Sequence, residues 1–134
     1  MNITYLKQND GSKLFSFHRH DFNAGENGTF IDGGFDYIRF NGELGEDTIE
    51  NLIGDIRQQF IWGANYEKDG KTIREKTVYN HLKDLDTDHI INILVFFTEK
   101  ISTIKGSVMI SAQWKAYHLI FLHELKYRHE NKIY

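Results

Sequence analysis

The chain has 134 residues, 40% of them hydrophobic and 14% aromatic, which is one domain's worth of sequence with enough apolar mass for a core and excludes intrinsic disorder. A net charge of −3 with no polybasic run excludes bulk affinity for nucleic acid, while sixteen Lys and Arg leave room for a local basic pocket. Cysteine is absent, which excludes disulfides, thiolate metal sites and a thiol nucleophile; proline is also absent, so turns fall to Gly, Asn and Asp.

The opening, Met1 to Lys7, lacks the charged and apolar regions of a signal peptide, and no window reaches the roughly 18 apolar residues of a membrane helix. The expectation is a soluble, cytoplasmic protein with no membrane partner. Residues 13–22 alternate and are rich in aromatics, which predicts a strand. Phe15, Phe17, Arg19 and Asp21 would share one face, and Leu14, Ser16, His18, His20 and Phe22 the other. Asn23 to Gly28 reads as a hairpin turn into a second strand, Thr29 to Phe40. Gly33-Gly34 interrupts that strand and predicts a bulge or a close backbone approach. Beyond it Phe35, Tyr37 and Arg39 would share a face, opposite Asp36, Ile38 and Phe40.

Asn41 to Gly45 reads as a loop. Asp47 or Thr48 is a good helix cap, and Ile49, Leu52, Ile53, Ile56 and Phe60 then form an amphipathic stripe ending at Trp62-Gly63. Short strands are predicted at Ala64–Tyr66 and Thr72–Val78, around a turn at Lys68-Asp69-Gly70. Asp86 or Thr87 caps a second helix with the stripe Ile90, Ile93, Leu94, Phe97 and Ile101, widened by Ile91 and Val95. After a loop near Ser102–Gly106, a last helix carries Trp114, Tyr117, His118, Phe121, Leu122 and Leu125. The order implies an α+β fold over a single domain, 1–134: an antiparallel sheet built on the N-terminal hairpin, with an internal helix and two C-terminal helices packed on it.

Chemistry concentrates in Phe17-His18-Arg19-His20-Asp21-Phe22 and Asp32-Gly33-Gly34-Phe35-Asp36-Tyr37-Ile38-Arg39. So many polar groups among aromatics require either an internal network or a ligand. His18 and His20 are two apart on the predicted strand, so both reach one metal, with Asp36 or His89 as a further ligand; alternatively, His20 bonds a backbone carbonyl and His18 faces solvent. Arg19 and Arg39 either fork onto phosphates while Phe17, Tyr37 or Trp62 stacks a base, or close the hairpin in ion pairs with Asp21 and Asp36. Asn92, a buried amide in the second helix, either reads a polar edge of the ligand or ties the helix to the sheet. Asp84, Asp86 and Asp88 do not match a calcium loop and are accounted for by helix capping. His118 reads as a core histidine. There is no nucleophile elbow, GxxxxGK or GxGxxG, so neither a catalytic residue nor a cofactor is expected.

The ordered segments HRHDF, DGGFDYIR, FIWGANYEKDG, LKDLDTDHIINIL and HELKYRHEN, from about His18 to Asn131, resemble a family of small bacteriophage accessory proteins. Members read HRHDY, VDGGxDYxR, WGxYGxxG, LxDMxxxHIxxIL and ELxYRxExG. Some relatives place a CxCG turn after the first segment; here Asn23–Gly28 holds no cysteine, which removes a zinc knuckle. In size and layout the chain is also similar to phage anti-Thoeris proteins, nucleotide sponges that sequester a cyclic ADP-ribose signal made by host defence enzymes. The resemblance implies a counter-defence protein of the host cytoplasm that binds a small nucleotide without catalysis.

On this reading Phe17, His18, Arg19, His20, Tyr37, Arg39, Trp62 and Asn92 contact the ligand. The protein would be a homo-oligomer, a dimer or larger, with the last helix through Trp114 and Phe121 as its interface. The competing readings are a protein-directed inhibitor of a host nuclease or polymerase, and a histidine-metal nucleotide hydrolase.

Overall fold

A computed structural model describes residues 1–35, 37–66, 73–103 and 108–133; of 64–66, 73–75, 100–103 and 108–112 the backbone alone is described. Helices and antiparallel strands are mixed, and the fold is α+β. The strands are β1 (Asn2–Lys7), β2 (Lys13–Leu14), β3 (Phe22–Ala24), β4 (Phe30–Asp32), β5 (Arg39–Asn41), β6 (Leu44–Thr48), β7 (Ile61–Tyr66) and β8 (Ile73–His81). The helices are α1 (Ile49–Gln59), α2 (Thr87–Thr103) and α3 (Val108–Glu130). The chain divides into two compact units, Met1–Asp55 and Ile56–Tyr134, with the division falling inside α1. No described helix is long and apolar enough to cross a membrane.

The first unit holds two three-stranded antiparallel sheets, ordered β2-β1-β6 and β3-β4-β5. Its core contains Ile3, Leu6, Phe15, Phe17, Ile31, Ile49, Leu52 and Ile53. The predicted long hairpin is corrected. β2 pairs with β1 through Leu6 opposite Leu14, and 15–21 form no strand. The aromatic residues that suggested a strand there pack inward as rings: Phe15 stacks on Phe17 at 5.3 Å, and Phe17 meets Phe35 edge-on at 5.7 Å.

A shorter hairpin survives in register Phe22 opposite Asp32 and Ala24 opposite Phe30. Its turn is shorter than the predicted Asn23–Gly28, because Asn23 and Ala24 pair within β3; Asn27 and Gly28, both at positive φ, lie in what remains. Of the segment read as a loop, Asn41 ends β5 and Leu44-Gly45 begin β6, which lies along β1 with Asn2 opposite Thr48. Thr48 then caps α1, its hydroxyl accepting from the Asn51 N–H at 3.1 Å.

In the second unit β7 pairs with β8 from Ile61 opposite His81 to Tyr66 opposite Ile73. Trp62, expected at a helix end, therefore sits in a strand. Its ring lies 5.2–6.1 Å from Phe60, Phe97, Tyr117 and Phe121, so the indole belongs to an aromatic core. α2 packs on α3 through Phe97, 4.8 Å from Trp114 and 5.7 Å from Phe121. The predicted turn at 68–70, and 104–106 of the predicted loop, lie outside the described residues.

The phase expected for α3 is also corrected. Among the described side chains its buried positions are Ala116, Tyr117, Ile120, Phe121, Glu124 and Arg128, while Leu122 is exposed and His118 is only half-buried. Phe121, expected at an oligomer interface, is fully buried, and Trp114 is half-buried against Phe96, Phe97 and Tyr117. The face rotates because a charged cluster occupies it. Glu124 accepts from Arg57 Nε at 2.9 Å and from Arg128 Nε at 2.8 Å. Arg128 also donates to Thr87 Oγ1 and to the Leu82 carbonyl, both at 3.0 Å. Arg57 lies 4.5 Å from the Tyr127 ring centre. The Arg57 guanidinium is held above its ordinary pKa, first by its hydrogen bond to Glu124 and against the pull of desolvation.

Candidate ligand-binding site

The polar cluster singled out in the sequence is built from two turns of the first unit. The first is Phe17 to Asp21, and one carboxylate organises it. Asp21 Oδ2 accepts from the Phe17 N–H at 3.1 Å, the His18 N–H at 2.9 Å and His18 Nδ1 at 3.1 Å. Ser16 Oγ donates to the Asp21 carbonyl at 3.0 Å and accepts from the Gly34 N–H at 2.9 Å. This second pair of bonds carries the first turn onto the second, which begins at Gly33-Gly34.

The glycine pair is the close approach that the sequence suggested. Gly33 and Gly34 have φ of +91° and +76°. A Cβ on Gly34 would stand 2.7 Å from the His18 carbonyl carbon and 2.9 Å from the Arg19 nitrogen. No side chain fits between the two turns, and they are pressed backbone to backbone.

Their outward groups are Arg19, His20, Tyr37 and Arg39, all exposed. Arg39 forks onto Asp32, Nε to Oδ1 at 2.9 Å and Nη2 to Oδ2 at 3.2 Å, because the β4–β5 register sets the two residues opposite each other. Asp32 is therefore an acidic partner of Arg39, and Asp21 is engaged by His18; Asp36 lies outside the described residues. The Arg39 side chain is 64% exposed, and its guanidinium lies 6.0 Å from the Tyr37 ring centre. An ion pair so exposed adds at most about 1 kcal/mol to stability. Its main effect is to fix the plane of the guanidinium, whose Nη1 side carries further donors.

The remaining predicted contacts fall elsewhere. Phe17 is buried and serves packing. His18 is half-buried and turned onto Asp21, so the shared strand face expected for His18 and His20 is not formed. Among the described residues no group of three or more His, Asp or Glu is placed to hold a metal ion. Trp62 and Asn92 belong to the second unit; Asn92 lies on the exposed face of α2 beside Ile91, which corrects the expectation of a buried amide.

Sequence reading missed Asp32 as the residue that orients Arg39, and it missed the face of the β3-β4-β5 sheet. The row Phe22–Asp32–Arg39 lies on that face, with Ala24, Phe30 and Asn41 in the next row. Phe22 is 61% exposed and its ring stacks on Phe30 at 5.7 Å and 21°. The signal was the hairpin register, which a prediction of longer strands obscured. In comparisons with known proteins the chain matches no family model, no curated protein and no solved structure.

Partial burial pushes the Asp21 carboxyl up, but the hydrogen bonds from the His18 ring and N–H, the His18 charge and the Phe17 N–H outweigh it and leave the pKa below its ordinary value. A depressed carboxyl stabilises the fold above its unfolded pKa, and that contribution is lost as pH falls through the folded value. Denaturation of the wild type at descending acid pH should therefore show a loss of stability that Asp21→Asn does not share. Parallel curves for the two proteins would contradict this account of the turn.

Proposed function

We propose that this protein captures a small phosphorylated nucleotide on its first unit and holds it unchanged, acting as a phage counter-defence sponge for a signal such as a cyclic ADP-ribose isomer. One observation carries the reading. Two turns locked together by Ser16, Asp21 and Gly34 present Arg19, His20, Tyr37 and Arg39 to solvent, with one guanidinium held in plane by Asp32. A guanidinium fixed beside an aromatic ring suits a phosphate joined to a base. The resemblance of the ordered segments to phage accessory proteins supports the counter-defence role, and the likeness in size and layout to nucleotide sponges supports binding without turnover.

The host cytoplasm as its location and an assembly of two or more chains belong to the same reading. Enclosure between copies would strengthen the charged hydrogen bonds to the ligand. The test is calorimetric titration with cyclic ADP-ribose isomers, followed by denaturation and recovery of the ligand. Saturable binding with return of intact nucleotide is expected; a hydrolysed product would assign an enzyme instead.

Charge distribution favours a second reading. Residues 1–55 carry four Lys and Arg against ten Asp and Glu, whereas 56–134 carry twelve against nine. An acid-rich first unit suits a protein-directed inhibitor that mimics a polyanion before a host nuclease or polymerase. That inhibitor would hold its host protein through a salt-sensitive contact and bind no nucleotide in the titration.

A further inference from the structure

We infer that the exposed Phe22–Phe30 pair is the platform on which the ligand's base stacks, so that the site extends from the two turns across the open face of the β3-β4-β5 sheet. The inference rests on the nucleotide reading above and assigns it a different pair of rings from those the sequence suggested.

Phe17 is buried, and Trp62 is packed among four rings of the second unit. Phe22 is different. It lies on a strand, is 61% exposed, and leans on Phe30 in a near-parallel stack that fixes the plane of its ring. A large apolar side chain in water gains nothing for the fold, whereas a ring held flat at a sheet surface offers a π-face to any base.

The register supplies the second half of the argument. Phe22 is opposite Asp32, and Asp32 is opposite Arg39, so the ring and the guanidinium flank one carboxylate in a single row. Two strand spacings, about 10 Å in all, separate their backbones. A base joined through ribose to phosphate covers such a span, with the base on Phe22 and the phosphate at Arg39. Asp32 does not repel the phosphate as a free carboxylate would, because both of its oxygens are engaged by Arg39. On the same face Asn41 donates its amide to the Gly28 carbonyl at 3.2 Å, and its side-chain oxygen is an acceptor suited to the exocyclic amine of adenine. The other acidic residues of this unit apart from Asp36 lie on the β1–β2 turn, between β3 and β4, between β5 and β6, on β6 and on α1, except Asp21, which directly precedes Phe22 and whose Oδ2 is engaged by the Phe17 and His18 N–H groups.

The experiment compares cyclic ADP-ribose, AMP and ribose 5-phosphate on the wild type and on Phe22→Ala. Phe22 is exposed, so the variant keeps its fold, checked by an unchanged melting profile. The expected result is a loss of about tenfold or more in affinity for both nucleotides. Ribose 5-phosphate, which has no base to stack, should bind both proteins equally weakly. Nucleotide affinity unchanged in Phe22→Ala, with the wild type binding, would overturn the platform and leave the nucleotide reading standing. A wild type that binds neither nucleotide would overturn both.

Discussion

Glu124→Ala is expected to lower the free energy of unfolding by about 3–5 kcal/mol, a large share of the 5–15 kcal/mol typical of a domain. Glu124 is fully buried and touches both Arg57 and Arg128, whose side chains are 10% and 6% exposed. Two guanidiniums share one carboxylate, so the cluster depends on its further acceptors: the Leu82 carbonyl, Thr87 Oγ1 and the Tyr127 ring. Removing the carboxylate leaves two cations desolvated beside each other, which costs far more than the pair contributes when intact. The same reasoning predicts that replacing all three, Arg57→Met with Glu124→Leu and Arg128→Met, restores most of the loss. Urea denaturation of the single and triple variants reads both effects. A cost below about 1 kcal/mol for Glu124→Ala would mean that water reaches the cluster.

Gly33→Ala is expected to cost at least about 2 kcal/mol of stability and, on the proposed reading, to abolish nucleotide capture. Gly33 has φ of +91°, and an added Cβ would fall on the Tyr37 carbonyl oxygen. That obstacle is backbone, so no rotamer change relieves it, and the segment carrying Tyr37 and Arg39 must shift. The contrast is Gly54→Ala. Gly54 lies in α1 with open space around it, and alanine there should raise stability by about 0.5–1 kcal/mol. Gly33→Ala matching the wild type in both denaturation and nucleotide titration would show that the turn is not held as described.

The elements that the sequence revealed are those with long, unambiguous periods. The stripe from Ile49 to Phe60 and the run from Ile90 to Phe97 needed only helical spacing and a cap, and α1 and α2 stand there. Short strands were harder. β2, β3, β4 and β5 have two or three residues each, so alternation across 13–22 was no guide to a segment whose rings pack among themselves. β1 and β6 were missed because β6 ends directly in the α1 cap, and β1 begins one residue into the chain.

At the candidate site, the glycine pair and the exposed arginine were legible from residue type. The partner of Arg39 and the pairing of Phe22 with Phe30 were not, since both follow from register. Burial of Glu124 was invisible because a carboxylate at a core position breaks the apolar pattern that locates the core. Its answering arginines lie 67 residues away in α1 and one turn along α3.

On the proposed function, Arg19 and Arg39 are presented for a ligand's phosphates. This is tested most directly by calorimetry of cyclic ADP-ribose isomers against the wild type and the Arg19→Ala/Arg39→Ala double variant. The account predicts saturable binding by the wild type, a loss of tenfold or more in the variant from charged hydrogen bonds of about 1.5–3 kcal/mol each, and little change in melting temperature. Equal affinity in the two proteins, or no heat from either, would contradict it.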